Sequence, residues 1–235
     1  MKSSLLLSLT FALSAALPAA PPPAAEEATE AGNYFVSNYP PFSFWQPEQI
    51  PAIARVLDQP PPEDVPVGVY FHIPFCRKRC HFCYFRVYTD KGPDEIRRYV
   101  RAGMKEFEMY ARRNYLQGRK PKFVYFGGGT PSYLSVPQLE ELTQHLKDGM
   151  PWDEVEEVTF EAEPGTLTEK KLDAIRAMGV TRLSLGIENF DDHILDINGR
   201  AHRSAEVFRA YGYARNIGFP QINIDLIAGM IEETE

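Results

Sequence analysis

Three cysteines, Cys76, Cys80 and Cys83, fall within eight residues of a 235-residue chain that has no others. They sit in "YFHIPFCRKRCHFCYF", Tyr70 to Phe85, directly after an apolar run rich in strand formers. An odd, clustered set is not the spread, even-numbered framework of a disulfide-bonded secreted protein. Thiolates are soft ligands that suit iron–sulfur clusters and zinc. The spacing C-x3-C-x2-C offers three corners of a four-iron cluster and leaves one iron open to a substrate or cofactor. Zinc is the alternative, completed by His81 or His72 as fourth ligand. Buried, unligated thiols are a third reading, opposed by the basic residues Arg77, Lys78 and Arg79 between the first two cysteines.

Such a loop needs a scaffold, and a regular alternation begins at Val67. Five apolar segments read as strands: "VGVYFHIP", "KFVYFGGGTP", "EVTFEAEPG", "VTRLSLGIENF" and "PQINIDLIAGM". Helices separate them. One opens at Pro93 with acidic residues and keeps Ile96, Tyr99, Val100, Met104, Phe107 and Tyr110 in helical period. A second carries Pro137 in its first turn, and a third opens at Thr168 and closes at Gly179. One or two more precede the fifth strand. Strands that are apolar nearly throughout, alternating with helices, predict parallel β/α units buried on both faces, α/β in class and of the TIM-barrel type. Five strands do not close such a barrel, so the expectation is a partial barrel, truncated at its C-terminal side.

In β/α barrels chemistry gathers at the C-terminal ends of the strands. Here those ends carry the cysteine loop, then Gly127, Gly128, Gly129 and Thr130, then Glu161 and Glu163, then Ser184 and Glu188, then Asn223 and Asp225. Five successive polar or glycine endings point to one shared site.

A net charge of -7 argues against broad, phosphate-driven nucleic-acid binding. Residues 1–20 resemble a secretory signal or a disordered leader, with an apolar run too short to span a bilayer. Residues 21–66 read as a Pro/Ala-rich linker around an aromatic patch, "NYFVSNYPPFSFW". Residues 67–235 form the core domain.

The motifs have a family likeness. C-x3-C-x-aromatic-C after an early strand resembles the radical S-adenosylmethionine (SAM) superfamily. "YFHIPFCRKRCHFC" is similar more narrowly to the oxygen-independent coproporphyrinogen III oxidase family, and "FGGGTP", "TFEAEPGTLT", "RLSLGIENFDD", "GRAH" and "NIDLIAG" follow in that family's order. The likeness runs from about Tyr70 to the last residue. It implies that Cys76, Cys80 and Cys83 ligate a [4Fe–4S] cluster whose open iron is chelated by SAM. It places Phe82 near the adenine, Tyr70 near the cluster and sulfonium, and Gly128, Gly129 and Thr130 at the methionyl amine. Glu161 would take SAM hydroxyls, Arg200 its carboxylate, and Asp225 the ribose region; Glu188, at the end of the fourth strand, joins these cofactor-binding residues.

The implied reaction is reductive cleavage of SAM to a 5′-deoxyadenosyl radical that abstracts a substrate hydrogen. The implied partners are a low-potential electron donor of flavodoxin or ferredoxin type and a small molecule, such as a tetrapyrrole in porphyrin metabolism. An oxygen-sensitive cluster implies a cytoplasmic, reducing location, against the signal-like leader. Three departures narrow the reading. Phe85 stands where the oxidases carry a fourth cysteine, Glu188 where glutamine is common, and Met230-Ile231 where Leu-Pro is usual. Haem-chaperone-like proteins and radical SAM methyltransferases on the same fold are the alternatives.

Overall fold

The computed structural model describes residues 44–61 and 64–234. The chain divides into two compact units, Met1–Gln49 and Ile50–Glu235. In the first, Pro47–Gln49 forms a 3-10 turn. The leader and most of the aromatic patch lie outside the described residues.

The second unit opens with helix α1 (Ile50–Leu57), which corrects the expectation of extended linker there. Pro51 sits in its first turn, where the missing N–H removes no helical bond. Its far end is tied down by Tyr115 N, which donates to Leu57 O at 3.0 Å, and by an Arg113–Asp58 ion pair at 2.7 Å.

Strands β1 (Gly68–Ile73), β2 (Phe123–Gly128), β3 (Glu157–Ala162), β4 (Arg182–Glu188) and β5 (Gln221–Leu226) form one parallel sheet in sequence order. The crossovers are α2 (Pro93–Ala111), α3 (Val136–Gly149), α4 (Glu169–Ala177), and the pair α5 (Asp192–Ile197) and α6 (Ser204–Asn216). This is the expected partial β/α architecture. Among the described residues no helix is long and apolar enough to cross a membrane.

The register stacks like residues in rows across the sheet. Phe71, Phe126, Phe160, Leu183 and Ile222 pair in one row, and the first four are buried in the core. Against this face α2 lays Ile96, Val100 and Met104, α3 Leu139, Leu142 and Leu146, α4 Leu172 and Ile175, and α6 Val207, Ala210 and Ala214. Each set repeats at three- or four-residue spacing, the period of one helical face. The opposite sheet face is polar: Tyr70, Tyr125, Thr159 and Arg182 form one row, and Glu161, Ser184 and Asn223 belong to the next. Strands apolar on both faces were expected; one face is apolar and the other alternates with it, because the inward residues carry the site.

The caps agree with the sequence. Thr168 Oγ1 accepts from Lys171 N at 3.2 Å, and Gly179 takes φ +96° just after α4. Phe160 is fully buried and lies 5.5 Å, centroid to centroid, from Phe126. Phe160→Ala should cost about 3–5 kcal/mol, read as a lower urea midpoint at unchanged slope.

Candidate cofactor site

The loop between β1 and α2 is pinned at its base before it reaches its thiols. Cys76 N donates to Tyr88 O at 3.1 Å and Tyr88 N to Pro74 O at 2.8 Å. Further along, Cys83 N donates to Cys80 O at 3.1 Å, closing a turn, and His81 N to Asn198 O at 3.0 Å. The loop therefore spans from the first strand to the end of α5.

Cys76 is buried, and Thr130 Oγ1 donates to its Sγ at 3.2 Å. Burial pushes the Cys76 thiol up; the Thr130 bond opposes this, the nearby Cys83 and Cys80 thiols add to it, and Arg200 lowers it. Gly129 leaves no room to spare: a Cβ there would lie 3.0 Å from Cys76 Sγ and 3.0 Å from the Pro74 carbonyl carbon. Glycine is required at Gly128 for a second reason, its φ of +116°.

Arg200 joins the second cysteine to the end of β4. Its Nη1 lies 3.1 Å from Cys80 Sγ and 3.7 Å from Glu188 Oε1, while Nη2 donates to Gly186 O at 2.5 Å. Its buried Nε has no partner among the described residues. Glu188 has φ +68° at a register shift in the β4–β5 pairing, a left-handed backbone uncommon for a side-chain-bearing residue. Burial pushes its carboxyl up, Arg200 lowers it, and Asp225 raises it.

On the inner face, Glu161 accepts from Tyr125 Oη at 2.6 Å and from Gly128 N at 3.0 Å. Its carboxyl is raised by burial, against these two bonds and with help from Asp225. Asp225 accepts from Ser184 Oγ at 3.0 Å and Asn223 Nδ2 at 2.8 Å. Tyr70 sits one row below Glu161, its hydroxyl 2.9 Å from His72 Nδ1 and its ring 5.9 Å from that of Tyr125. Phe82 is exposed on the loop. The structure thus gathers Cys76 with Gly129 and Thr130, Cys80 with Arg200 and Glu188, and Glu161 with Gly128. A cavity of about 360 Å³ beside β1 shares Tyr70 and His72 but none of the cysteines.

Sequence reasoning left one participant aside. His202 is fully buried, with Nδ1 3.1 Å from Glu163 Oε1 and Nε2 3.2 Å from Ile187 O. Its only sequence signal was its place at the end of "GRAH". Arg77, one of the basic residues between the first two cysteines, reaches across to two other segments: Nη2 donates to Ala201 O at 2.8 Å and lies 3.3 Å from Glu163 Oε1. Burial pushes the Glu163 carboxyl up, but the His202 hydrogen bond and the Arg77, His202 and Arg200 charges win and hold it below the usual value.

The donor set fits an iron–sulfur cluster. Three thiols on one loop, with no carboxylate among them, are the soft donors such a cluster takes. His72, one alternative zinc ligand, is hydrogen bonded to Tyr70, and His81 packs on Gly199, where a Cβ would meet its ring at 3.0 Å. The buried, unpartnered Arg200 Nε is a donor still lacking an acceptor, as the absence of an anionic group would leave it.

A parallel β/α sheet with three clustered thiols at the end of its first strand defines a cluster-binding α/β protein. The sequence model of the radical SAM superfamily matches residues 70–235, and the chain belongs to that superfamily. Its members use a [4Fe–4S] cluster with SAM and need a reductant. The chain is 36% identical over 170 residues to the haem chaperone HemW of Bacillus subtilis, covering 71% of this chain and 44% of that protein. It is 32% identical over 183 residues to the oxygen-independent coproporphyrinogen III oxidase of Escherichia coli, covering 78% and 38%. The solved structure of coproporphyrinogen III oxidase (HemN) from Escherichia coli, a radical SAM enzyme, superposes with a TM-score of 0.68 at 29% identity, over 80% of this chain and 42% of that one. The chain spans about two fifths of the length of these relatives.

Proposed function

We propose that this chain carries the SAM-cleaving part of a radical SAM enzyme of the coproporphyrinogen oxidase kind. The observation that carries the proposal is the convergence of the cysteine loop, the glycine cradle and Arg200 at one end of the sheet. Cys76, Cys80 and Cys83 hold the cluster, and Thr130 donates to Cys76 Sγ. Arg200 pairs with the SAM carboxylate, the demand its unpartnered Nε leaves open. Glu161 and Asp225 take hydroxyl groups of SAM, with Glu188 beside them. Gly128 and Gly129 bring backbone close to the methionyl amine, Phe82 covers the adenine, and Tyr70 stands under the site. Bound and reduced, cluster and SAM supply an adenosyl radical that takes a hydrogen atom from substrate, while the protein orients and shields.

The substrate class we assign is a tetrapyrrole, on the strength of the oxidase relatives. Haem handling is the second reading, favoured by the similarity to HemW and by Phe85 in place of a fourth cysteine. For the reductant we favour an acidic flavodoxin- or ferredoxin-type donor, since the loop from Cys76 to Arg86 exposes Lys78, Arg79 and Arg86 and holds no carboxylate. Three free cysteines suit a reducing, cytoplasmic compartment.

The test is the iron, acid-labile sulfide and zinc content of anaerobically reconstituted protein, beside Cys80→Ala. Matching iron and sulfide, lost in the variant, with 5′-deoxyadenosine formed from SAM under reduction, is the expected result. Zinc without sulfide would overturn the proposal. SAM cleavage with stable haem binding and no porphyrinogen turnover would select the second reading.

A further inference from the structure

One carboxylate oxygen, Glu163 Oε1, is shared by three donors from three parts of the fold. Arg77 Nη2, next to the first cysteine, lies 3.3 Å away; Gly165 N donates at 3.1 Å; and His202 Nδ1 lies at 3.1 Å. Arg77 and His202 are brought to it from 86 and 39 residues away in sequence. The Glu163 and His202 side chains are 10% and 0% exposed, so solvent does little to weaken the pair. Both nitrogens of His202 lie within hydrogen-bond distance of oxygen atoms, Glu163 Oε1 and Ile187 O. Arg77 also donates to Ala201 O, the residue between Arg200 and His202. Gly165 makes room for all this: a Cβ there would fall 2.2 Å from Arg77 Nη2 and 2.9 Å from Glu163 Oε1.

We propose that Glu163 is a positioning residue that locks the cysteine loop, through Arg77, to the segment bearing Arg200, through His202. Among the described residues Glu163 has no hydrogen bond to a cysteine; its partners are Arg77, Gly165, His202, Ser132 and Thr166. Its effect is to keep the cluster-bearing loop and the SAM-binding arginine in one fixed relation, which a near-ångström misplacement would spoil. The inference rests on the radical SAM reading given above.

The test uses the full chain with its reconstituted cluster. SAM affinity is read from the change SAM causes in the electron paramagnetic resonance spectrum of the reduced cluster. Hydrogen exchange at the amides of residues 76–86 is read separately on the metal-free chain. Glu163→Ala should weaken SAM binding by roughly tenfold or more and speed loop exchange by a similar factor, with iron and sulfide retained. Glu163→Gln should recover most of the affinity, since its amide oxygen still accepts from Gly165 N and Arg77. Gly165→Ala removes no partner and meets only side-chain ends at the closest points, so it should fold and yet displace Arg77, weakening SAM binding to a comparable degree. Gly165→Ala and Glu163→Ala both within twofold of wild type in SAM affinity would overturn the proposal and leave the radical SAM reading standing. Wild-type protein that holds no iron–sulfur cluster would sink both.

Discussion

Glu161→Gln should give a protein that is more stable than wild type at neutral pH and binds SAM roughly 30-fold more weakly. The two effects have one cause. Glu161 is largely buried on the inner face, and burial, with the Asp225 charge, lifts its carboxyl above the ordinary value despite hydrogen bonds from Tyr125 and Gly128 N. A folded-state value above the unfolded one means that the group's stabilising contribution is complete below the ordinary carboxyl value and lost as pH rises through the folded value. Above its folded-state value the ionised side chain therefore weighs against the fold. Glutamine removes that charge, keeps an oxygen for Gly128 N, and turns its NH₂ toward the Tyr125 hydroxyl, which can accept. A gain on the order of 1 kcal/mol corresponds to about 2–4 °C in Tm for a domain of this size. The gain should shrink as pH falls from 7 toward 4, where wild type takes up the proton itself. Thermal melts across that range, paired with SAM titrations, check both halves. A variant less stable than wild type at pH 7 would contradict the account of Glu161.

Gly129→Val should strip the protein of its cluster and lower its stability by about 2–4 kcal/mol. The Cβ alone would stand 3.0 Å from Cys76 Sγ, 3.0 Å from the Pro74 carbonyl carbon and 3.1 Å from Ile73 O. Two of these neighbours are backbone at the end of β1, so the strand end must move, and Cys76 moves with it. The branching methyls of valine deepen the clash, whereas Gly129→Ala asks for a shift of only a few tenths of an ångström and should retain part of the iron. Iron and sulfide content together with urea midpoints would show the graded series Gly, Ala, Val. A valine variant with full iron content would mean that the loop takes its position independently of β2.

Both substitutions concern residues whose place could be read before any coordinates, and the reason is general to this sheet. Strands announce themselves where apolar residues must face the helices, as at Phe71, Phe126, Phe160 and Leu183, and the polar residue at each strand end then falls at one rim. Local signals also sufficed for the caps at Thr168 and Gly179. Helix α1 was obscured by its surroundings: prolines on both sides look like linker, although Pro51 in a first turn is compatible with a helix. His202 and Arg77 were illegible for a different reason. Each owes its role to a carboxylate 39 or 86 residues away, and no local pattern encodes an approach of that length. The alternation of faces was missed because glycine, tyrosine and threonine on the inner side do not look polar in a run of apolar neighbours.

The sheet order carries a consequence for how the protein is made. Each strand pairs only with its neighbours in sequence, so a ribosome can deliver the β/α units in the order in which they dock. The cysteine loop arrives with the first strand, but its anchors lie far on, Arg200 120 residues after Cys80 and Ala201 124 residues after Arg77. At about 5–20 residues per second that interval is on the order of 6–25 s, during which three thiols travel on a loop without its far-side anchors. The nascent chain thus passes through a stage in which its thiols are open to oxidation or to stray metal, and cluster delivery belongs after the segment from Arg200 to His202 has emerged.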